Sequence, residues 1–245
     1  MSGHSKWSTI KRKKEKTDAQ RAKIFTKIGR ELAIAVRSGG PDPSANNKLR
    51  DCIAKAKSNN VPSDNIDRII KKAAGDTDGA NYEEITYEGY GPSGVALIVA
   101  TLTDNRNRTA GDLRHYFDKF GGNMGQTGSV SFMFNRKGVI LVNVSAGGED
   151  AVMESALEAG AEDFSLLDED GVYEITTEVA GFAAVREALE GIYGDKVESA
   201  ELSYIPTTYE TLTDEDDIIK MTRLLDTLDD NDDVQDVWHN LKDDE

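Results

Sequence analysis

Two stretches of this sequence carry residue types that handle anions. Thr103-Asp104-Asn105-Arg106-Asn107-Arg108-Thr109 closes an apolar run and enters a helical one. Asn105, Arg106, Asn107 and Arg108 therefore stand beside the unpaired amides of a helix N-terminus, a natural place for an anion. The same residues would equally make a turn locked by Asn caps and an Arg–Asp pair. The second stretch, Gly121 to Ser129, has the glycine density of a phosphate loop. It lacks a Lys-Ser/Thr pair after its last glycine and runs from a helix into a strand, the reverse of a P-loop. A conformationally demanding connection is the expectation there.

The remaining candidates for chemistry thin out quickly. His4, His115 and His239 fall in three separate elements, none with a ligand at the i+3 or i+4 spacing of a metal site. Cys52 is the one cysteine, which rules out an intrachain disulfide and a cysteine zinc site. The acidic clusters Asp214–Asp217 and Asp229–Asp233 lack the glycine and terminal glutamate of a calcium loop. The first offsets a helix dipole, and both are expected to be solvated. No nucleophile-elbow motif occurs. The expectation is no enzyme, no metal and no cofactor.

Charge is the stronger signal. Residues 1–75 hold eighteen Lys/Arg against seven Asp/Glu, and residues 76–245 hold eleven against thirty-eight, so a net of −16 hides a cationic head on an anionic body. A cationic head is the footprint of a phosphate-binding surface, because each neutralised phosphate releases a condensed counterion. The body would be repelled by the same backbone and could attract basic proteins. No stretch approaches the roughly eighteen apolar residues of a membrane span, and the basic N-terminus has no apolar signal core. A reduced, cytoplasmic, monomeric protein is expected.

These charges need elements to hold them. Residues 2–16 have no periodicity and read as a mobile basic arm carrying His4, Lys6, Trp7, Lys11, Arg12, Lys13 and Lys14. Trp7 could cover the helical core or stack on a base. Thr17 and Gln20 have capping-box spacing, and Phe25, Ile28, Leu32 and Val36 recur at helical intervals up to Gly39. Lys23, Lys27, Arg30 and Arg37 fall opposite that stripe. A second helix is predicted from Ser44 to about Asn59, and a third from Ser63 to Gly75, where Arg68, Lys71 and Lys72 oppose Ile66, Ile69 and Ile70. The loops between them are not the tight turn of a helix-turn-helix, and adenine-reading Asn or Gln are sparse on the basic faces. Backbone and shape contacts are expected more than base readout.

Beyond a polar linker at 76–81, strands are predicted over Ile85–Tyr90 and Val95–Thr103, the latter nearly continuous in apolar residues and so central. A helix from Arg108 follows, then a strand in which Val130, Phe132 and Phe134 alternate. Residues from Gly138 to Tyr204 spell β-α-β-β-α-β, the ferredoxin-like order. The predicted architecture is α+β: a three-helix bundle (1–75), then two ferredoxin-like modules, the second (136–204) inserted into the first (82–135 plus 205–240).

Taken together, GHSKW (3–7), RAKIFTKIGREL (21–32), GGPDPSANNKLR (39–50), AKAKSNNVPSDNIDRIIKK (54–72), YEGYGPSGVALIVATLTDNRNRT (87–109) and FDKFGGNMGQTGSVSFMF (117–134) resemble the YebC/PmpR family. The resemblance implies a helical N-terminal domain, two α+β domains and a non-enzymatic regulator of gene expression, most often described as a DNA-binding transcriptional regulator. Some relatives look like translation factors. The leading expectation is thus duplex DNA bound through the head. The alternative is ribosomal RNA or tRNA bound by a ribosome-associated factor that assists elongation, with basic ribosomal proteins against the acidic body.

Overall fold

The computed structural model describes residues 18–75 and 82–242. The predicted arm with His4, Lys6, Trp7, Lys11, Arg12, Lys13 and Lys14, the Thr17 cap and the 76–81 linker lie outside the described residues.

Helix α1 (Asp18–Gly39) turns Ile28, Leu32, Ala35 and Val36 into a shared core with α2 (Asn47–Ser58) and α3 (Ser63–Gly75). Leu49, Cys52 and Ala56 enter it from α2, Ile66 and Ala73 from α3. Helix α2 is shorter at its start than predicted. Ser44 is held in a turn by Asp42, and Asn46 caps the helix by accepting from the Leu49 amide at 3.0 Å. The buried Asn46 amide also donates to the carbonyls of Ala35 and Gly40, both at 2.8 Å, which ties the end of α1 to the start of α2.

The rest of the chain makes two four-stranded antiparallel sheets. The first has the order β3-β1-β2-β8, from β1 (Glu83–Tyr90), β2 (Ala96–Thr103), β3 (Asn123–Met124) and β8 (Val234–His239). Helices α4 (Arg106–Lys119) and α7 (Glu215–Asp230) cover one face, where Leu97 and Val99 meet Leu113, Phe117, Met221 and Leu224. The opposite face of β2, through Ala96 and Ile98, is buried against Val130 and Phe134. Burial on both faces explains why β2 is apolar almost throughout.

The second sheet has the order β5-β6-β4-β7, from β4 (Phe134–Asn143), β5 (Asp163–Leu167), β6 (Val172–Glu178) and β7 (Val197–Pro206). Helices α5 (Glu149–Glu158) and α6 (Phe182–Tyr193) pack on it, giving the β-α-β-β-α-β sequence of elements. The first sheet departs from that order. It opens with the β1–β2 hairpin before any helix, and its outer strand β8 comes from the far end of the chain.

The strand predicted through Val130, Phe132 and Phe134 is corrected. Ser131–Met133 form a 3-10 turn, and β4 starts at Phe134 and runs on through the segment predicted as a separate strand. The amides of Val130 and Ser131 are taken by the Glu88 carboxylate and so are unavailable to a neighbouring strand. Phe132 is left 74% exposed between buried Val130 and Phe134.

Candidate nucleic-acid interface

The polar face of α1 has a part that meets the end of α7 and a part that borders α3. On the first, Lys23 Nζ lies 2.8 Å from Asp230 Oδ1, and Lys27 Nζ donates to the Asp229 carbonyl at 2.7 Å. Arg30 donates to the Asp232 carbonyl at 2.8 Å and lies 3.8 Å from Asp233 Oδ1. The acceptors sit at the C-terminus of α7, where unpaired carbonyls carry the negative end of the helix dipole. Three cations of α1 thus close off the end of α7. The hydrogen bond to Asp230 raises the Lys23 pKa.

The cluster Asp229–Asp233 is therefore not simply solvated as predicted. Asp233 is buried, and its Oδ2 accepts from Arg108 Nη2 and Thr109 Oγ1 at 2.8 Å each and from Thr103 Oγ1 at 3.3 Å. Arg108 also pairs with Asp104 at 2.8 Å, while Asn105 caps α4 by accepting from the Arg108 amide at 3.1 Å. Burial works against ionising Asp233, but Arg108 and the two threonines outweigh it and hold its carboxyl below the ordinary range. The anion held by the 103–109 turn is the chain's own carboxylate. Arg106 and Asn107 remain exposed beside it.

The glycine-rich connection has the same construction. Buried Glu88 accepts from the amides of Gly128 and Val130 at 2.8 Å and Ser131 at 2.9 Å. Burial opposes its ionisation, and the three amides still hold its pKa below the ordinary value. Two glycines are dictated by this path. A Cβ on Gly122 would lie 2.3 Å from the Tyr90 carbonyl oxygen, and Gly128 has φ +88. This cradle resembles a phosphate nest in its amides, yet a carboxylate from β1 fills it. Sequence reasoning missed both carboxylates. The one local signal is an acid at position 88 on the same strand face as Tyr90.

A half-buried charge joins head to body. Lys55 of α2 lies 2.9 Å from Glu31 and 2.8 Å from Asp236 of β8. Desolvation alone would lower its pKa, but Asp236, Glu31 and Glu201 together hold it well above the ordinary value. Arg186 of α6, 1% exposed, pairs with Asp51 of α2 at 2.6 Å.

The part bordering α3 is different. Arg37, Arg68, Lys71 and Lys72 are exposed, and Arg68 Nη2 donates to Asn65 Oδ1 of its own helix at 2.9 Å. Between α1 and α3 runs a groove of about 400 Å³ with Gly29, Ala33 and Ile69 in its floor. Arg30, Arg37, Lys72 and Tyr82 stand around it, and the Arg30 guanidinium carbon is 5.8 Å from the Tyr82 ring centroid. Tyr82 was not among the predicted interface residues. Among the described residues, no cluster of three or more His, Cys, Asp or Glu could hold a metal ion, and no helix is long and apolar enough to cross a membrane.

Comparison with known proteins adds two family matches. The family model described as TACO1/YebC protein N-terminal domain matches residues 5–76, and that described as TACO1/YebC second and third domain matches residues 82–241. A protein of Ruminiclostridium cellulolyticum named "Probable transcriptional regulatory protein" is 60% identical over 246 residues, covering 100% of this chain and 98% of its own. One of Caldicellulosiruptor bescii with the same name is 59% identical, with 100% of both chains covered. The crystal structure of a conserved hypothetical protein from Aquifex aeolicus superimposes with a TM-score of 0.80 at 44% identity, covering 93% of this chain and 92% of that one.

Proposed function

The chain belongs to the TACO1/YebC family, and from that premise we propose that it is a non-enzymatic regulator of gene expression that binds nucleic acid through its helical head. The observation that carries this reading is the set of exposed cations Arg37, Arg68, Lys71 and Lys72 on one side of a head with eighteen Lys/Arg against seven Asp/Glu. A surface of that kind neutralises phosphates, and the body with eleven Lys/Arg against thirty-eight Asp/Glu turns the molecule so that only the head approaches. The relatives named as transcriptional regulatory proteins support a regulatory role. In this reading residues 1–75 act as one basic bundle with its arm, and 136–204 form a module inserted into 82–135 plus 205–240. The protein works as a cytoplasmic monomer without a cofactor.

Duplex DNA is the partner that the relatives' names favour. A ribosome-associated role on ribosomal RNA or tRNA is the second reading. It is favoured by one feature, the recessed α1–α3 groove with Tyr82, which a stacked duplex cannot enter but a folded RNA with splayed bases can. The deciding experiment measures binding of the full chain to a candidate promoter duplex, a random duplex and purified ribosomes at near-physiological salt. A promoter reader should prefer its site by roughly a thousandfold or more. A ratio near one with saturable ribosome co-sedimentation selects the second reading, and failure to bind any of the three ends both.

A further inference from the structure

Resting on the nucleic-acid reading above, we propose that the groove between α1 and α3 is a site for one unstacked nucleotide of a single-stranded segment, its base against Tyr82 and its phosphates on Arg37 and Lys72. The groove combines three properties that exposed lysines alone do not. Its volume of about 400 Å³ is in the range of small-ligand sites. Its floor is apolar, through Gly29, Ala33 and Ile69, and offers a phosphate nothing but offers a base a surface to cover. Its rim carries Arg37 and Lys72, both exposed, where the charged backbone flanking such a base would run.

Tyr82 gives the site its selectivity. It precedes β1 and stands where the head meets the first sheet. Arg30 is positioned against the Tyr82 ring at 5.8 Å, and its guanidinium is itself steadied by the Asp232 carbonyl at 2.8 Å. An inserted base would extend this guanidinium–ring arrangement, and every base has a π-face that fits it. Gly29 keeps the floor open. A Cβ there would come 3.3 Å from Ile69 Cδ1, so a larger residue would raise the floor or displace Ile69. A duplex keeps its bases stacked and paired and could meet only the rim cations. The groove therefore distinguishes single strands from duplex by shape, without reading sequence.

The test uses the full chain and three probes of about a dozen nucleotides: unstructured RNA, DNA of the same sequence, and the RNA as duplex. Dissociation constants come from fluorescence anisotropy at fixed salt. Tyr82→Ala should weaken single-strand binding roughly tenfold or more, as expected for loss of one stacking platform. Tyr82→Phe, which keeps the ring, should stay within about twofold of the parent, and neither change should move duplex binding. Equal losses for RNA and DNA assign the groove to any unstacked nucleotide, and a loss confined to RNA adds the 2′-hydroxyl to what it recognises. Parent-like single-strand binding by Tyr82→Ala overturns the groove assignment alone, as does an equal loss on duplex. A parent that binds promoter duplex or ribosomes but none of the single-stranded probes also overturns the groove assignment alone; a parent that binds none of these partners ends the nucleic-acid reading itself.

Discussion

The head presents two sets of cations that are alike in sequence and differ in whether the end of α7 meets them. Lys23, Lys27 and Arg30 lie on the polar face of α1, and all three end on Asp230 or on the carbonyls of Asp229 and Asp232. Arg37, Arg68, Lys71 and Lys72 lie on polar faces of α1 and α3 and are exposed. Both sets fall opposite an apolar stripe, so helical periodicity treats them identically. What separates them is the end of α7, just over two hundred residues along the chain. A charge count measures the capacity of a surface for phosphate, and the fold decides how much of that capacity is already used.

The sharpest way to break the comparison is to neutralise the exposed set. Arg37→Gln, Arg68→Gln, Lys71→Gln and Lys72→Gln together should lower affinity for nucleic acid on the order of a thousandfold and flatten the log–log salt slope by about three units. Lys23→Gln with Lys27→Gln should do far less, because those ammonium groups already have acceptors. Isotherms across a salt series check both. Equal effects from the two sets would mean that the body moves aside when nucleic acid binds.

The legible and illegible parts of the molecule divide along the same line. The three helices, the central strand β2 and the second sheet's element order follow from periodicity and glycine punctuation, which are local. The β-like alternation of Val130, Phe132 and Phe134 misled because burial of Val130 and Phe134 arises from a turn held by Glu88, forty-two residues before Val130. Strand β3 is two residues long, too short for any pattern. The 103–109 turn was legible as an anion site or a locked turn, but not its occupant, since Asp233 belongs to the acidic run at the other end of the chain. Tyr82 sits in a stretch with no periodicity around it, and only the fold brings it to the α1–α3 groove.

The two carboxylate-filled cradles offer a second, smaller test. Asp233→Ala leaves Arg108, Thr109 and Thr103 without their common acceptor and should cost about 3 kcal/mol. Glu88→Gln keeps one acceptor oxygen and should cost less, about 2 kcal/mol. Both acids have folded pKa values below their ordinary 3.8 and 4.5, so their contribution is fully present above those values. It is lost as pH falls through the lower folded values. Denaturant unfolding between pH 6 and 3 should show the parent losing stability over that acidic range and each variant losing less. A parallel decline in parent and variants would remove these carboxylates from the account.

The smallest effect probes the edge between the two sets of cations. Lys23–Asp230 is an exposed pair, and such pairs contribute below about 1 kcal/mol, so Asp230→Asn should leave thermal stability almost unchanged. It frees only Lys23, because Lys27 and Arg30 are held by main-chain carbonyls that the substitution does not touch. Affinity for nucleic acid should rise about two- to fivefold at low salt, through one released ammonium and one removed negative charge. The gain should fade near 0.2 M salt, where screening shortens the reach of both. A rise of a hundredfold would show that the α1 face is a latent binding surface held shut by a single carboxylate. No rise at any salt would show that Lys23 lies beyond the reach of a bound phosphate backbone, leaving Arg37, Arg68, Lys71 and Lys72 as the electrostatic edge of the site.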